Sequence, residues 1–276
     1  MKRATVIAGA LLALGLVATA RPAAAQATIG WDVGLFSSYV WRGITYTSKP
    51  VIQPDLYVTI PLSAASLTAG VWANIEPGKY NGADDISEGG GLASPDLAEW
   101  DWWAEIGGTA GLATLTAGAT GYQFPNDAGY TKIYNTTEVY GKVALDVPSI
   151  NPKLSLYYDV DKVKGAYFEG SVSHGFPLTP AVPLNIGVTA GLSAGQEVSA
   201  TDFSANFAES GLTHVDLSVS SSFAAGPLSI TPAIHGVYGH DRFTKFSHAT
   251  GHAKDFKLWG GATISWSHAL GAAAKE

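Results

Sequence analysis

Tyr39, Trp41 and Arg42 stand together in SSYVWRGITYTSKP (residues 37–50), two aromatic rings beside a permanent positive charge. Such a group can act as an electrostatic constriction that meets a solute. Its plainer use is an internal ion pair that satisfies a half-buried charge, with Asp55 across the next turn as the expected partner. A second polar group lies in YYDVDKVKGAYFEG, residues 157–170. At period two, Asp159, Asp161, Tyr167 and Glu169 share one face of a tight hairpin, so up to three carboxylates converge. Several oxygens can hold a hard cation, but the spacing is not that of an EF-hand loop. Pairing with Lys142 or Arg42 is the plainer use. His240, His248 and His252 share one polar stretch without helical spacing, so no zinc site is expected there. Ser173 and His174 are neighbours that must face opposite ways in a strand. His214, Asp216 and Ser218 do share a face, a set common in polar strands and short of a hydrolase triad. The expectation is no enzyme, no metal and no cofactor.

Period-two alternation runs through the whole chain and decides what positions these groups. Twelve strands are expected, at 29–42, 51–62, 67–76, 99–108, 113–124, 137–146, 153–162, 166–177, 184–193, 212–223, 228–239 and 256–269. Strands that cross a membrane at a tilt need about 9–11 residues, against about 5–6 for ordinary globular strands. These have the longer length. One face of each is apolar, as in Leu56, Val58, Ile60 and Leu62, or Leu184, Ile186, Val188, Ala190 and Leu192. The residues on that face include no Arg, Asp or Glu; Lys162 reaches it only as the last residue of its strand, and His174 is its awkward mid-strand member. A Lys or Arg at mid-bilayer costs about 2–4 kcal/mol, which is reason enough to exclude them. Trp31, Trp41, Trp100, Trp102 and Trp266 fall on the same face near strand ends, as an interfacial girdle would.

The opposite face carries Asp55, Asp101, Glu105, Glu138, Lys142, Asp159, Asp161, Glu169 and Asp216, with Arg42 at the outer end of the first strand. A sandwich would bury its apolar face instead. Strand length and loop lengths separate the two. Connections such as 63–66, 108–111 and 224–227 are short, while 77–98, 125–136, 194–211 and 240–255 are long. Short turns at one end and long loops at the other define outer-membrane barrels. The fragment ASLTAG (65–70) recurs as ATLTAG (113–118), and VTAG returns at 188–191, each opening a strand after a short turn.

Composition agrees. Only 14% of residues are charged, aromatic residues make up 11%, and there are 32 Gly, 8 Trp and no Cys. The average charged fraction is about 25%. Without Cys there is no disulfide framework or thiolate metal site. Lys2 and Arg3, an apolar run from about 4 to 20 and Ala23-Ala24-Ala25 read as a secretory signal peptide cleaved after residue 25. Removing it takes away three of the 16 basic residues and none of the 23 acids, so the remainder carries 13 − 23 = −10. That balance argues against nucleic acid as a partner.

SSYVWRGITYT with PVIQPDLYV, LYYDVDKVKGAYFEGSVSHGFPL and LWGGATISWS together resemble the TorF-type porin family, over nearly all of residues 26–276. The resemblance implies a proteobacterial outer-membrane barrel and passive transport, with no established substrate and no catalytic residues. One departure is the end, where GAAAKE follows Leu270 in place of a terminal aromatic that helps assembly. The expected protein is thus one antiparallel outer-membrane barrel of about twelve strands, over residues 26–276. Its partners are membrane lipid, small hydrophilic solutes and the barrel-assembly machinery. An acidic lumen would prefer cations. The alternative is a closed structural or adhesive barrel acting through its long loops, with residues 80–99 as the contact surface.

Overall fold

Alternation of apolar and polar residues commits each segment to a strand with one oily and one polar face. In the computed structural model, these strands form β1 (Thr28–Phe36), β2 (Tyr39–Trp41), β3 (Ile44–Thr47), β4 (Val51–Pro61), β5 (Ser66–Glu76), β6 (Asp96–Ala110), β7 (Ala113–Gln123) and β8 (Thr136–Leu145). There follow β9 (Lys153–Asp159), β10 (Ala166–Thr179), β11 (Val182–Ala194), β12 (Gly211–Ser221), β13 (Phe223–Ala225), β14 (Leu228–Gly239) and β15 (Phe256–Ala269). The structure describes residues 26–78, 80, 95–125, 135–147, 150–179, 182–195, 210–239 and 256–271. Most of the long loops, the histidines at 240, 248 and 252, and the signal segment lie outside these residues.

Every neighbouring pair is antiparallel and follows chain order. β12 pairs with β14, and β15 pairs with β1, which closes the sheet on itself. Leaving aside β2, β3 and the short β13, twelve strands make the ring. Closure removes both sheet edges, so no row of unpaired backbone groups faces the surroundings. An edge of that kind could not be tolerated in hydrocarbon.

The faces sort as the alternation requires. Leu154 is 67% exposed and Leu258 65%, and Leu56, Val71, Leu115, Phe168, Leu217 and Ile234 point outward with them. An apolar belt of this extent has no place on a water-soluble monomer. The interior holds the buried polar residues Thr47, Asn74, Glu76, Glu99, Asp101, Glu138 and Asp159. That inverts the usual distribution, in which acids are almost never fully buried. Trp31 and Trp266 are cross-strand partners on the outer face with ring centroids 6.4 Å apart, and Trp100 and Trp102 lie on the same face of β6. His174 sits on that face too, its ring edge-on to Phe176 at 4.3 Å.

The recurring TAG fragments have a packing use. A Cβ at Gly70 would lie 2.7 Å from the Trp103 ring, one at Gly118 2.5 Å from the Tyr140 ring, and one at Gly191 2.3 Å from the Tyr167 hydroxyl. Each fragment leaves a slot into which an inward aromatic from a neighbouring strand lies down.

Three expectations change. The first strand does not run unbroken to residue 42: β1 ends at Phe36, and Tyr39–Trp41 pairs only with Ile44–Thr47 in a separate two-stranded sheet. The break is at Ser37, whose amide donates to the Gly260 carbonyl at 2.9 Å and whose hydroxyl accepts from the Gly260 amide at 3.1 Å. The strand expected at 153–162, β9, stops at Asp159, and residues 160–165 form a turn. The strand expected at 99–108, β6, starts earlier at Asp96 and reaches Ala110.

Candidate functional site

The small sheet β2–β3 does not continue the barrel wall. It folds into the lumen. Its sequence YVW-RG-ITYT is two apolar-aromatic runs joined by two residues, and Trp41 pairs with Ile44 across them. Arg42 has φ 49° and Gly43 φ 86°. Positive φ at both positions is what a two-residue type I′ hairpin loop requires. Gly43 is needed twice over, since a Cβ there would come within 2.3 Å of the His214 Cβ on β12. Ile44 is buried, with Trp41 and Tyr46 packed on it.

Contacts around the hairpin come from most of the barrel wall. Tyr39 lies against Trp72 of β5, with ring centroids 5.7 Å apart, and near Glu99 of β6. Thr47 Oγ1 donates to Glu76 Oε1 at 2.7 Å. Trp41 meets Tyr122 of β7 edge-on at 5.7 Å. On the exit side, Tyr80 donates to the Pro50 carbonyl at 2.6 Å.

At the hairpin tip, Arg42 reaches the wall opposite β1. Nη1 and Nη2 donate to Glu138 Oε1 and Oε2 at 2.8 and 2.7 Å. The two side chains are 6% and 7% exposed. Tyr122 donates its hydroxyl to the same Oε2 at 2.8 Å. The guanidinium carbon lies 4.0 Å from the Tyr167 ring centroid, 4.7 Å from Tyr157 and 4.2 Å from Trp41. Ring faces are the negative part of an aromatic quadrupole, so all three favour the cation. The pairing with Asp55 expected from the sequence is not the one found. Asp55 instead accepts from Trp103 Nε1 at 3.1 Å. Trp41 is likewise not on the outer face but inside, because the chain turns inward after Ser38.

Aromatic rings and carboxylates continue along the wall. Asp32 and Asp55 are cross-strand partners, and Tyr57 lies against Trp103 with centroids 6.3 Å apart. Glu105 accepts from the Tyr140 hydroxyl at 2.9 Å and from Lys142 Nζ at 3.3 Å, while Lys142 sits over the Tyr140 ring at 4.2 Å. Tyr140, Tyr157 and Tyr167 follow at 5.5 and 6.0 Å, and the Tyr167 hydroxyl donates to Glu169 at 3.3 Å. Asp101 is buried on the inner face of β6, beside Glu99.

The three-carboxylate group expected at 159–169 does not form. Asp159 is buried and accepts from Thr136 Oγ1 at 2.5 Å, and from the amides of Asp161, Val163 and Lys164 at 3.0, 2.9 and 3.3 Å. It ties the turn 160–165 to β8. Asp161 lies in that turn, exposed, 3.9 Å from Lys162. Glu169 lies in the lumen beside Tyr167, whereas Asp159, on the inner face of its strand opposite Glu138, is spent on the turn amides. Among the described residues, no three ligating side chains converge on a metal position.

Asp216 pairs with His235 Nδ1 at 2.9 Å, and His235 stacks on Trp259 with centroids 4.2 Å apart. Ser218 is the cross-strand partner of His235, yet its hydroxyl is directed to the Gly187 carbonyl at 3.5 Å. His214 turns to the Thr213 hydroxyl at 3.0 Å. The shared face noted in the sequence therefore does not assemble a Ser–His–Asp relay. Tyr122, Tyr157, Glu76 and Glu99 are site residues that sequence reasoning did not single out.

The chain belongs to the Gcw_chp family, bacterial proteins of unknown function, whose model matches residues 20–255. No curated protein matches the sequence. Among solved structures, the chain is similar to the COG4313 outer membrane channel from Pseudomonas putida F1. The TM-score is 0.52 at 7% identity, over 90% of this chain and 97% of that one. The NanC porin aligns at TM-score 0.44 and 10% identity, over 87% and 98% of the two chains. The outer membrane phospholipase A from Escherichia coli aligns at 0.45 and 10%, over 94% and 97%. The likeness to the Pseudomonas putida channel is one of fold, that of an outer-membrane barrel. Fold alone does not carry an activity.

Proposed function

We propose that this protein is an outer-membrane channel for small hydrophilic solutes, narrowed by its own β2–β3 hairpin and preferring cations. The observation that carries the reading is a hairpin that leaves the wall after Phe36, crosses a polar lumen and locks to Glu138 on the far side. Around it, the inward acids Asp32, Asp55, Glu99, Asp101, Glu105, Glu138, Glu169 and Asp216 outnumber the inward bases Arg42, Lys142, Lys153 and Lys257. A charged ring of one sign in a low-dielectric passage concentrates the opposite ion. Residues 1–25 act as a cleaved export signal, and the protein resides in the outer membrane as a passive porin, in keeping with its TorF-type resemblance.

Reversal potential under a KCl gradient tests the reading. A shift toward the potassium potential supports it, and a chloride-selective or absent current contradicts it.

The buried Arg42–Glu138 lock also favours a second reading, a barrel held shut that works through its outer loops. That reading requires silence in the bilayer even when the lock is removed.

A further inference from the structure

The cage around Arg42 is built almost wholly from the far wall. Glu138 on β8 presents both carboxylate oxygens, and Tyr122 on β7 fixes their plane by donating to Oε2 at 2.8 Å. Tyr157 on β9 and Tyr167 on β10 add two ring faces within 5 Å of the guanidinium carbon (4.7 and 4.0 Å). These four residues are held by the barrel ladder, not by the hairpin, since each strand pairs with the next in unbroken register here. Only Trp41 travels with Arg42.

We infer that this cage is a binding site for a guanidinium-bearing solute, occupied in the closed molecule by the protein's own Arg42. A carboxylate offering two oxygens side by side matches a planar fork of N–H donors, and flanking ring faces suit a delocalised, weakly hydrated cation. An ammonium or potassium ion is a compact point charge and matches neither feature as well. The site thus selects within the cations that the channel reading admits, and its route of access rests on that reading.

Competition with Arg42 is reasonable in magnitude. A group on a short tether acts at an effective concentration of about millimolar order. One feature weakens its hold: Arg42 is a non-glycine residue at φ 49°, a left-handed conformation that costs an L side chain energy. A solute that takes the cage displaces the tip from the lumen, so the same event admits the solute and widens its path.

The test is calorimetric titration of methylguanidinium into refolded protein in detergent, with methylammonium as the control cation. Arg42→Ala should bind one methylguanidinium per chain, at least about tenfold more tightly than the wild type, because the internal competitor is gone. Methylammonium should bind more weakly than methylguanidinium. Adding Glu138→Gln should abolish the site. Should Arg42→Ala fail to fold, as read by heat-shifted gel mobility, Arg42→Met keeps the packing stem and carries the same titration. Binding no tighter than in the wild type, or unchanged by Glu138→Gln, overturns the inference. Potassium current from the same preparations is read separately. Current without methylguanidinium binding defeats this inference and leaves the channel reading intact; binding without current does the reverse.

Discussion

Arg42, on the hairpin that follows the first strand, meets Glu138 on the opposite wall through two hydrogen bonds of 2.8 and 2.7 Å. Both side chains are almost wholly shielded, and no other described base reaches Glu138. Breaking a buried pair by removing one partner leaves an uncompensated charge and costs about 3–5 kcal/mol. Here that cost falls on the hairpin's attachment, while the barrel ladder remains.

Arg42→Ala is therefore expected to loosen the hairpin and raise conductance, with the barrel still folded. Arg42→Lys should give an intermediate result, because one ammonium cannot serve both oxygens of Glu138. Single-channel current on each variant checks the order. Equal currents in all three proteins would contradict it.

The pair should also show coupling in stability. A double-mutant cycle with Arg42→Ala and Glu138→Gln, read by urea unfolding in detergent, should give an interaction of about 0.5–3 kcal/mol. Additive effects would mean that the two groups do not hold each other.

Gly43→Val attacks the same lock from the other side. The new side chain has no room beside His214 and cannot adopt φ 86° without strain. The variant should behave like Arg42→Ala although Arg42 is intact. A current identical to the wild type would show that the tip does not sit against β12.

Asp159→Ala separates structure from transport. The carboxylate satisfies three turn amides and the Thr136 hydroxyl, so its loss should destabilise the turn by about 1–3 kcal/mol. Ion selectivity should stay as it was, since Asp159 points into the turn. A changed reversal potential would place it in the pathway after all.

Much of this fold is legible in the sequence, because the membrane imposes one rule on every strand. Leu154, Leu156 and Tyr158 must face lipid, so Ser155, Tyr157 and Asp159 face the other way, and a one-residue error would reverse the whole set. The inward hairpin is harder to read. Tyr39 and Trp41 keep the parity of Trp31 and Val33 through Ser37-Ser38, so alternation alone describes one unbroken strand. The available signal was Arg42-Gly43, a two-residue loop between YVW and ITYT. Nothing local connects Arg42 to Glu138, 96 positions away, since that contact exists only once the sheet closes. Asp161 misled for a similar reason. Alternation continues through it, but Asp159 captures the following amides and ends the strand.

The most direct measurement is single-channel current of residues 26–276, wild type and Arg42→Ala, in a planar bilayer under a KCl gradient. The account predicts discrete cation-selective steps, larger in Arg42→Ala. Silence from both proteins, each shown to be folded by heat-shifted gel mobility, would contradict it.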